Sequence, residues 1–275
     1  MSFAARLAEA VRSRRSWLVV GIDPHPDRLG GDLALTRRFC HALVEASAGR
    51  VPAVKPQFAF FEALGVPGMA LLAEVIDHAR RRELLVIGDA KRGDIGTTAA
   101  AYAAAALGPQ APFACDALTV SPFLGPDTLE PFLAAADRCG GGLFVLWRTS
   151  NPGSATFQAP VADALAAVIE KAAAARLDAT GLGPVGAVVG ATTGAALAEA
   201  RRLMPSVWQL VPGYGAQGGT ATDAAAGRRA DGLGALVVSA RALSFPPASE
   251  EAAWKADPAP FFAARLDQAL AELGP

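Results

Sequence analysis

Cysteine, histidine and tyrosine are scarce in this chain. Of 275 residues, three are cysteine, three histidine and two tyrosine. Cys40, Cys115 and Cys139 are odd in number and form no CxxC pair. A disulfide framework is thereby excluded, and buried free thiols are expected. His25, His41 and His78 lack the HxxxH type of metal-ligand spacing. Neither sign of charge is in excess: 25 basic against 26 acidic residues leave a formal net charge of −1. That argues against a nucleic-acid or anionic-membrane surface, so an anionic ligand would have to meet a local basic site. No uncharged apolar run is long enough for a membrane span. The opening stretch MSFAARLAEAVRSRRSW is amphipathic, contains Glu9, and lacks the apolar core of a signal peptide. A cytoplasmic protein with no membrane and no nucleic-acid partner is the expectation.

Short apolar runs rich in β-branched residues are present, and helical stretches alternate with them. The runs predict strands at 17–22, 53–55, 84–89, 117–120, 143–147, 185–189, 208–211 and 235–238. Helices are predicted at 33–48, 68–82, 97–106, 128–136, 161–174, 195–202 and 222–229, with a closing helix at 260–273. Alternation of this kind implies parallel strands with crossover helices. Eight units fit an α/β fold, a single (β/α)8 TIM barrel domain over residues 1–275. A doubly wound open sheet is the rival, because the pattern does not reveal closure.

The segments that follow the strands are rich in chemistry: GIDPHPDRL, KPQFAFFEALG, DAKRGDIG, RTSNPGS, VGATTG, VPGYGAQGG and SARAL. In a barrel all of them meet at the C-terminal face, where barrel enzymes keep their active sites. The densest is IGDAKRGDIGTTAAAY, which sets Asp89, Lys91 and Asp94 at the end of an apolar strand. Charges there are costly unless paired or used. Asp89 and Lys91 face the same way if the extended backbone persists through Ala90. Gly93 permits a sharp turn, and Asp94 is read as an N-cap or first-turn residue. A rim ion pair plus a helix cap would account for these three residues alone.

Taken in order, GID, KPQ, DAKRGDIG with its D-x-K-x-x-D pattern, TSNPG, PGYGAQGG and SAR resemble the orotidine 5′-phosphate decarboxylase family over about residues 19–243. The likeness is to its longer, type 2 bacterial-like subgroup. The resemblance implies that Lys91 protonates C6 of the pyrimidine as carbon dioxide leaves. Asp89 would lie beside the substrate carboxylate, and Lys55 would complete a Lys–Asp–Lys–Asp chain. Asp94 and Thr98 would be contributed across a homodimer interface into the partner's site. Asp23 would bind a ribose hydroxyl, and Ser150 the pyrimidine, with Thr149 and Asn151 as alternatives. Gln217 and Arg241 would hold the phosphate. No metal and no cofactor are implied.

These residue types suit that chemistry. Loss of carbon dioxide from C6 leaves a poorly delocalised carbanion, which an adjacent ammonium stabilises and then protonates. Lysine is better suited than arginine because it can give up its proton. A second reading is a metal-dependent phosphosugar barrel, of the hexulose-phosphate synthase or ketogulonate-phosphate decarboxylase type. It needs an acidic metal ligand after the second strand, where only Glu62 is offered. A third is a phosphate-ligand-binding barrel without turnover.

Overall fold

The computed structural model describes residues 1–190, 194–213 and 220–275. Eight parallel strands close into a barrel in sequence order. They are β1 (Leu18–Ile22), β2 (Ala53–Pro56), β3 (Leu85–Arg92), β4 (Ala117–Val120), β5 (Gly142–Arg148), β6 (Val185–Val189), β7 (Gln209–Pro212) and β8 (Ala235–Ser239). β1 pairs with β8, Val19 opposite Val238, and this closure rules out the open sheet. β1, β6 and β8 are buried along their whole length. Strands covered on both faces read as near-continuous apolar runs, which is why all eight were visible in sequence. β3 departs from expectation: it runs on to Arg92 instead of stopping at Asp89.

The first long crossover helix, Leu33–Ser47, starts where Asp32 accepts the amides of Ala34 and Leu35 at 2.8 and 3.0 Å. The helix predicted at 222–229 is shorter, Ala221–Ala225. A Thr220–Asp223 capping box starts it, and Gly227, a poor helix former, follows its end. The N-terminal stretch, amphipathic in sequence, forms the helix Phe3–Arg14 against the N-terminal ends of the strands. Phe3 meets Phe144 edge-on at 6.0 Å, and Arg6 pairs with Asp116 ahead of β4. A Cβ at Gly142 would lie 2.2 Å from the Phe3 ring, so only glycine fits there.

The chain beyond β8 packs back on the barrel's outer layer. Phe39 of the first crossover helix is surrounded by Phe245, Trp254 and Phe262 at centroid distances of 5.4, 5.9 and 5.5 Å. Aromatic pairs of this kind contribute about 0.5–1.5 kcal/mol each beyond their buried area. The closing helix, Ala259–Leu273, receives the Trp17 indole N–H at the Leu273 carbonyl, 3.4 Å away.

Candidate active site

The candidate residues sit at or just beyond the C-terminal ends of strands. Lys55 is on β2, Asp89 and Lys91 are on β3, and Asp23, Ser150 and Arg241 follow β1, β5 and β8. These six line one cavity of about 280 Å³, together with Gln57, Thr119 and Thr149. Val188, Leu210 and Val238 supply an apolar part of its wall.

Asp89 is the centre of the arrangement. Its Oδ1 accepts from Lys91 Nζ at 2.5 Å and from Thr119 Oγ1 at 3.1 Å. Its Oδ2 accepts from Lys55 Nζ at 2.5 Å and from Gln57 Nε2 at 3.0 Å. A carboxylate offers about four lone-pair positions, and all are taken. Burial opposes the Asp89 charge, but Lys55 and Lys91 outweigh it, so its pKa falls well below the ordinary carboxylate range. Burial likewise opposes the Lys55 charge, yet the Asp89 and Asp23 carboxylates raise its pKa above the usual lysine value. Lys55–Asp89–Lys91 thus carries one net positive charge into the cavity. Lys55 is buried, whereas the Lys91 side chain is 44% exposed and opens toward the cavity mouth.

Asp23 has a different environment. Burial pushes its pKa up, against the opposing pull of Lys55. Its Oδ1 is buried with no hydrogen-bond partner among the described residues. An unpaired buried acceptor facing a cavity is suited to a ligand hydroxyl.

Ser150 and Thr149 both line the cavity. The Thr149 hydroxyl is already engaged: it accepts from Gln158 Nε2 at 2.8 Å and donates to Asn151 Oδ1 at 2.6 Å. Ser150 makes no side-chain hydrogen bond among the described residues, so of the three it has the uncommitted hydroxyl. Arg148, at the end of β5, pairs with Glu199 at 2.8 Å.

Asp94 is not the N-cap of helix Gly96–Ala106: that place is Ile95's, and Asp94 Oδ1 accepts the Ile95 amide at 2.7 Å. Gly93 does not take a positive φ; Lys91 and Gly96 do, both at 49°. Glycine is nevertheless required at 93, because a Cβ would come within 2.9 Å of the Ser121 carbonyl oxygen. Asp94 and Thr98 do not line the cavity, and Thr98 is exposed on the helix that follows β3. Gln217 lies outside the described residues.

Gln57 and Thr119 were not singled out from sequence. Gln57 stands two residues after Lys55, on the same side of the strand. Thr119 is the polar residue of the buried strand Ala117–Val120, and a buried hydroxyl there requires partners.

Residues 16–256 match the family model for the orotidine 5′-phosphate decarboxylase / HUMPS family. An orotidine 5′-phosphate decarboxylase of Rhodopirellula baltica is 46% identical over 280 aligned positions, covering 94% of this chain and 93% of the relative. One from Deinococcus radiodurans is 49% identical over 253 positions, covering 89% of each. The solved structure of Leishmania donovani OMP decarboxylase superposes with a TM-score of 0.79 at 35% identity, covering 99% of this chain and 97% of that one. On barrel, cavity and sequence together, the chain belongs to the orotidine 5′-phosphate decarboxylase / HUMPS family.

Proposed function

We propose that this protein decarboxylates orotidine 5′-monophosphate to UMP and carbon dioxide, as a carbon–carbon lyase of de novo pyrimidine biosynthesis. The observation that carries this is the Lys91 ammonium, held 2.5 Å from an Asp89 that four donors keep ionised. When the C6–carboxylate bond breaks, its electron pair stays on C6. Lys91, beside that carbon, stabilises the pair and then gives it a proton, which forms the C6–H bond of UMP. At an effective dielectric near 20, a unit pair at 4 Å is worth about 4 kcal/mol, or roughly three powers of ten in rate. Asp89, already saturated with donors, is poorly placed to take a proton; its work is to fix Lys91 and to bring negative charge near the departing carboxylate. Lys55 keeps Asp89 ionised from behind.

The remaining contacts belong to binding. Asp23 takes a ribose hydroxyl, Ser150 the pyrimidine edge, and Arg241, at the open rim, the phosphate. Gln217 joins Arg241 there on the strength of the family motif. Phosphate binding far from C6 supplies energy for orienting the base. No metal or cofactor enters the scheme.

The active unit in this reading is a homodimer, with Asp94 and Thr98 reaching the partner's cavity. Their position outside their own cavity supports it. So does the apolar side chain between them, Ile95, which is 63% exposed. A cytoplasmic location goes with the assigned pathway; among the described residues no helix is long and apolar enough to cross a membrane. The phosphosugar alternative loses its candidate ligand, because Glu62 pairs with Arg92.

The test is an absorbance assay with orotidine 5′-monophosphate. Lys91→Ala should lower kcat by about 10³-fold or more while UMP still binds. Wild-type protein without turnover, or Lys91→Ala at the wild-type rate, would overturn the assignment.

A further inference from the structure

We propose that Thr119 is the positioning residue for Lys91: its hydroxyl holds the β3 backbone in the conformation that aims the ammonium. The proposal rests on the decarboxylase reading and names a residue through which Lys91 acts. It starts from a mismatch between two strands. β3 and β4 pair Ile87 with Ala117 and Gly88 with Leu118, and the next pair is Arg92 with Val120. Residues 89, 90 and 91 therefore stand opposite Thr119 alone. A bulge of this kind removes ladder partners from the longer strand.

The Thr119 side chain replaces them. Oγ1 accepts the Ala90 amide at 3.0 Å and the Lys91 amide at 2.9 Å, and donates to Asp89 Oδ1 at 3.1 Å. A hydroxyl has two lone pairs and one proton, and all three are used. With both lone pairs occupied by amides, the proton is directed at Asp89. One atom thus touches each of the three residues of the excursion, including the carboxylate that binds Lys91. The residue is 1% exposed, so water does not offer an easy substitute.

The conformation being held is a costly one. Lys91 has φ 49°, a left-handed value that a residue with a Cβ disfavours. Such values persist where the surroundings over-determine them, and they concentrate at working sites. The far end of the excursion is fastened separately, by the Ser121 amide on the Arg92 carbonyl at 2.7 Å. Between that anchor and Gly88, the described bond that fixes the Lys91 backbone is the one to Thr119. Without the hydroxyl, the Ala90 and Lys91 amides lose their acceptor. Lys91 is then free to return to negative φ, which swings its side chain away from Asp89.

The test compares Thr119→Val, which keeps the branched shape and loses the oxygen, with Thr119→Ser, which keeps the oxygen. Thr119→Val should lose about 10²-fold in kcat, the scale of an ångström-sized misplacement of a reacting group. KM and UMP affinity should hold, and Thr119→Ser should recover most of the rate. A merely structural role would reduce the folded fraction and leave kcat per folded molecule unchanged; that result overturns the proposal. So does equal loss in both variants. Should Thr119→Val fail to fold, amide exchange on the wild-type protein decides: the Ala90 and Lys91 amides should be strongly protected, and free exchange refutes the bonds. A wild-type protein that does not turn over orotidine 5′-monophosphate counts against the assigned activity, a result separate from any difference among the Thr119 variants.

Discussion

Lys55 Nζ and Asp89 Oδ2 lie 2.5 Å apart inside the barrel mouth, and the two residues are only 5 and 6% exposed. Lys91 touches the other oxygen of the same carboxylate with a side chain that is 44% exposed. The two lysines should therefore differ in what they do for the fold. Removing one partner of a buried pair leaves a charge uncompensated, at a cost of about 3–5 kcal/mol. Lys55→Met should lose stability on that scale in urea unfolding. Lys91→Met, at the exposed end, should lose about 1 kcal/mol or less. Equal losses would mean that the burial asymmetry has no energetic consequence.

The same pair makes a pH prediction. Asp89 is held below its ordinary 3.8 and Lys55 above its ordinary 10.5. A depressed carboxylate contributes stability that is present above its unfolded pKa and is lost as pH falls through the lower folded value. A raised ammonium contributes stability present below its unfolded pKa and lost as pH rises through the higher folded value. Both contributions are thus complete between about pH 5 and pH 8. The stability difference between wild type and Asp89→Asn should be level across that window and shrink on both sides of it, at acid pH as Asp89 takes a proton and at alkaline pH as Lys55 loses one. A steady slope through neutrality would contradict the ionised pair.

Asp23 has the opposite sign. Burial raises its pKa, so the folded state favours the neutral form, and ionisation at neutral pH is a net cost to the fold. Asp23→Asn should raise the urea midpoint at pH 7. It should also raise KM by about 10- to 100-fold, the range for a lost hydrogen bond to a charged group. A variant less stable than wild type, with KM unchanged, would remove Asp23 from the ribose-binding role.

The parts of this molecule visible in sequence were those with local signatures. Buried parallel strands are continuous apolar runs, so all eight could be found. Asp89 and Lys91 stood out because charges at the end of such a run are expensive, whereas Lys55 was named through the family resemblance. Thr119 carried no comparable signal, since threonine in an apolar strand looks like ordinary β-branched filling. Its importance comes from a register offset with a strand some thirty residues away, which spacing within either strand does not reveal. The left-handed Lys91 was hidden for a related reason: sequence directs attention to glycine, and Gly93 is needed for its close approach to Ser121 instead. The N-terminal helix was half legible. Phe3, Ala4, Leu7, Ala8 and Val11 mark one helical face, but nothing local says that it packs against the barrel's N-terminal end.

A mixing experiment tests the shared site. If the proposed homodimer is the active unit, Lys91→Ala and Asp94→Asn dimers should each be nearly inactive, because every cavity in either one carries a lesion. In a heterodimer of the two, one cavity would hold both lesions and the other neither, provided Asp94 serves the partner. Random reassortment makes half the dimers mixed, and half of their cavities intact, so about a quarter of wild-type activity should return. If Asp94 serves its own subunit, each cavity of the heterodimer keeps one lesion and no activity returns. The two outcomes differ in kind as well as in size, and the recovery should need time for subunit exchange. Recovery that appears at once and does not depend on exchange would point to contaminating wild-type enzyme and not to a composite site.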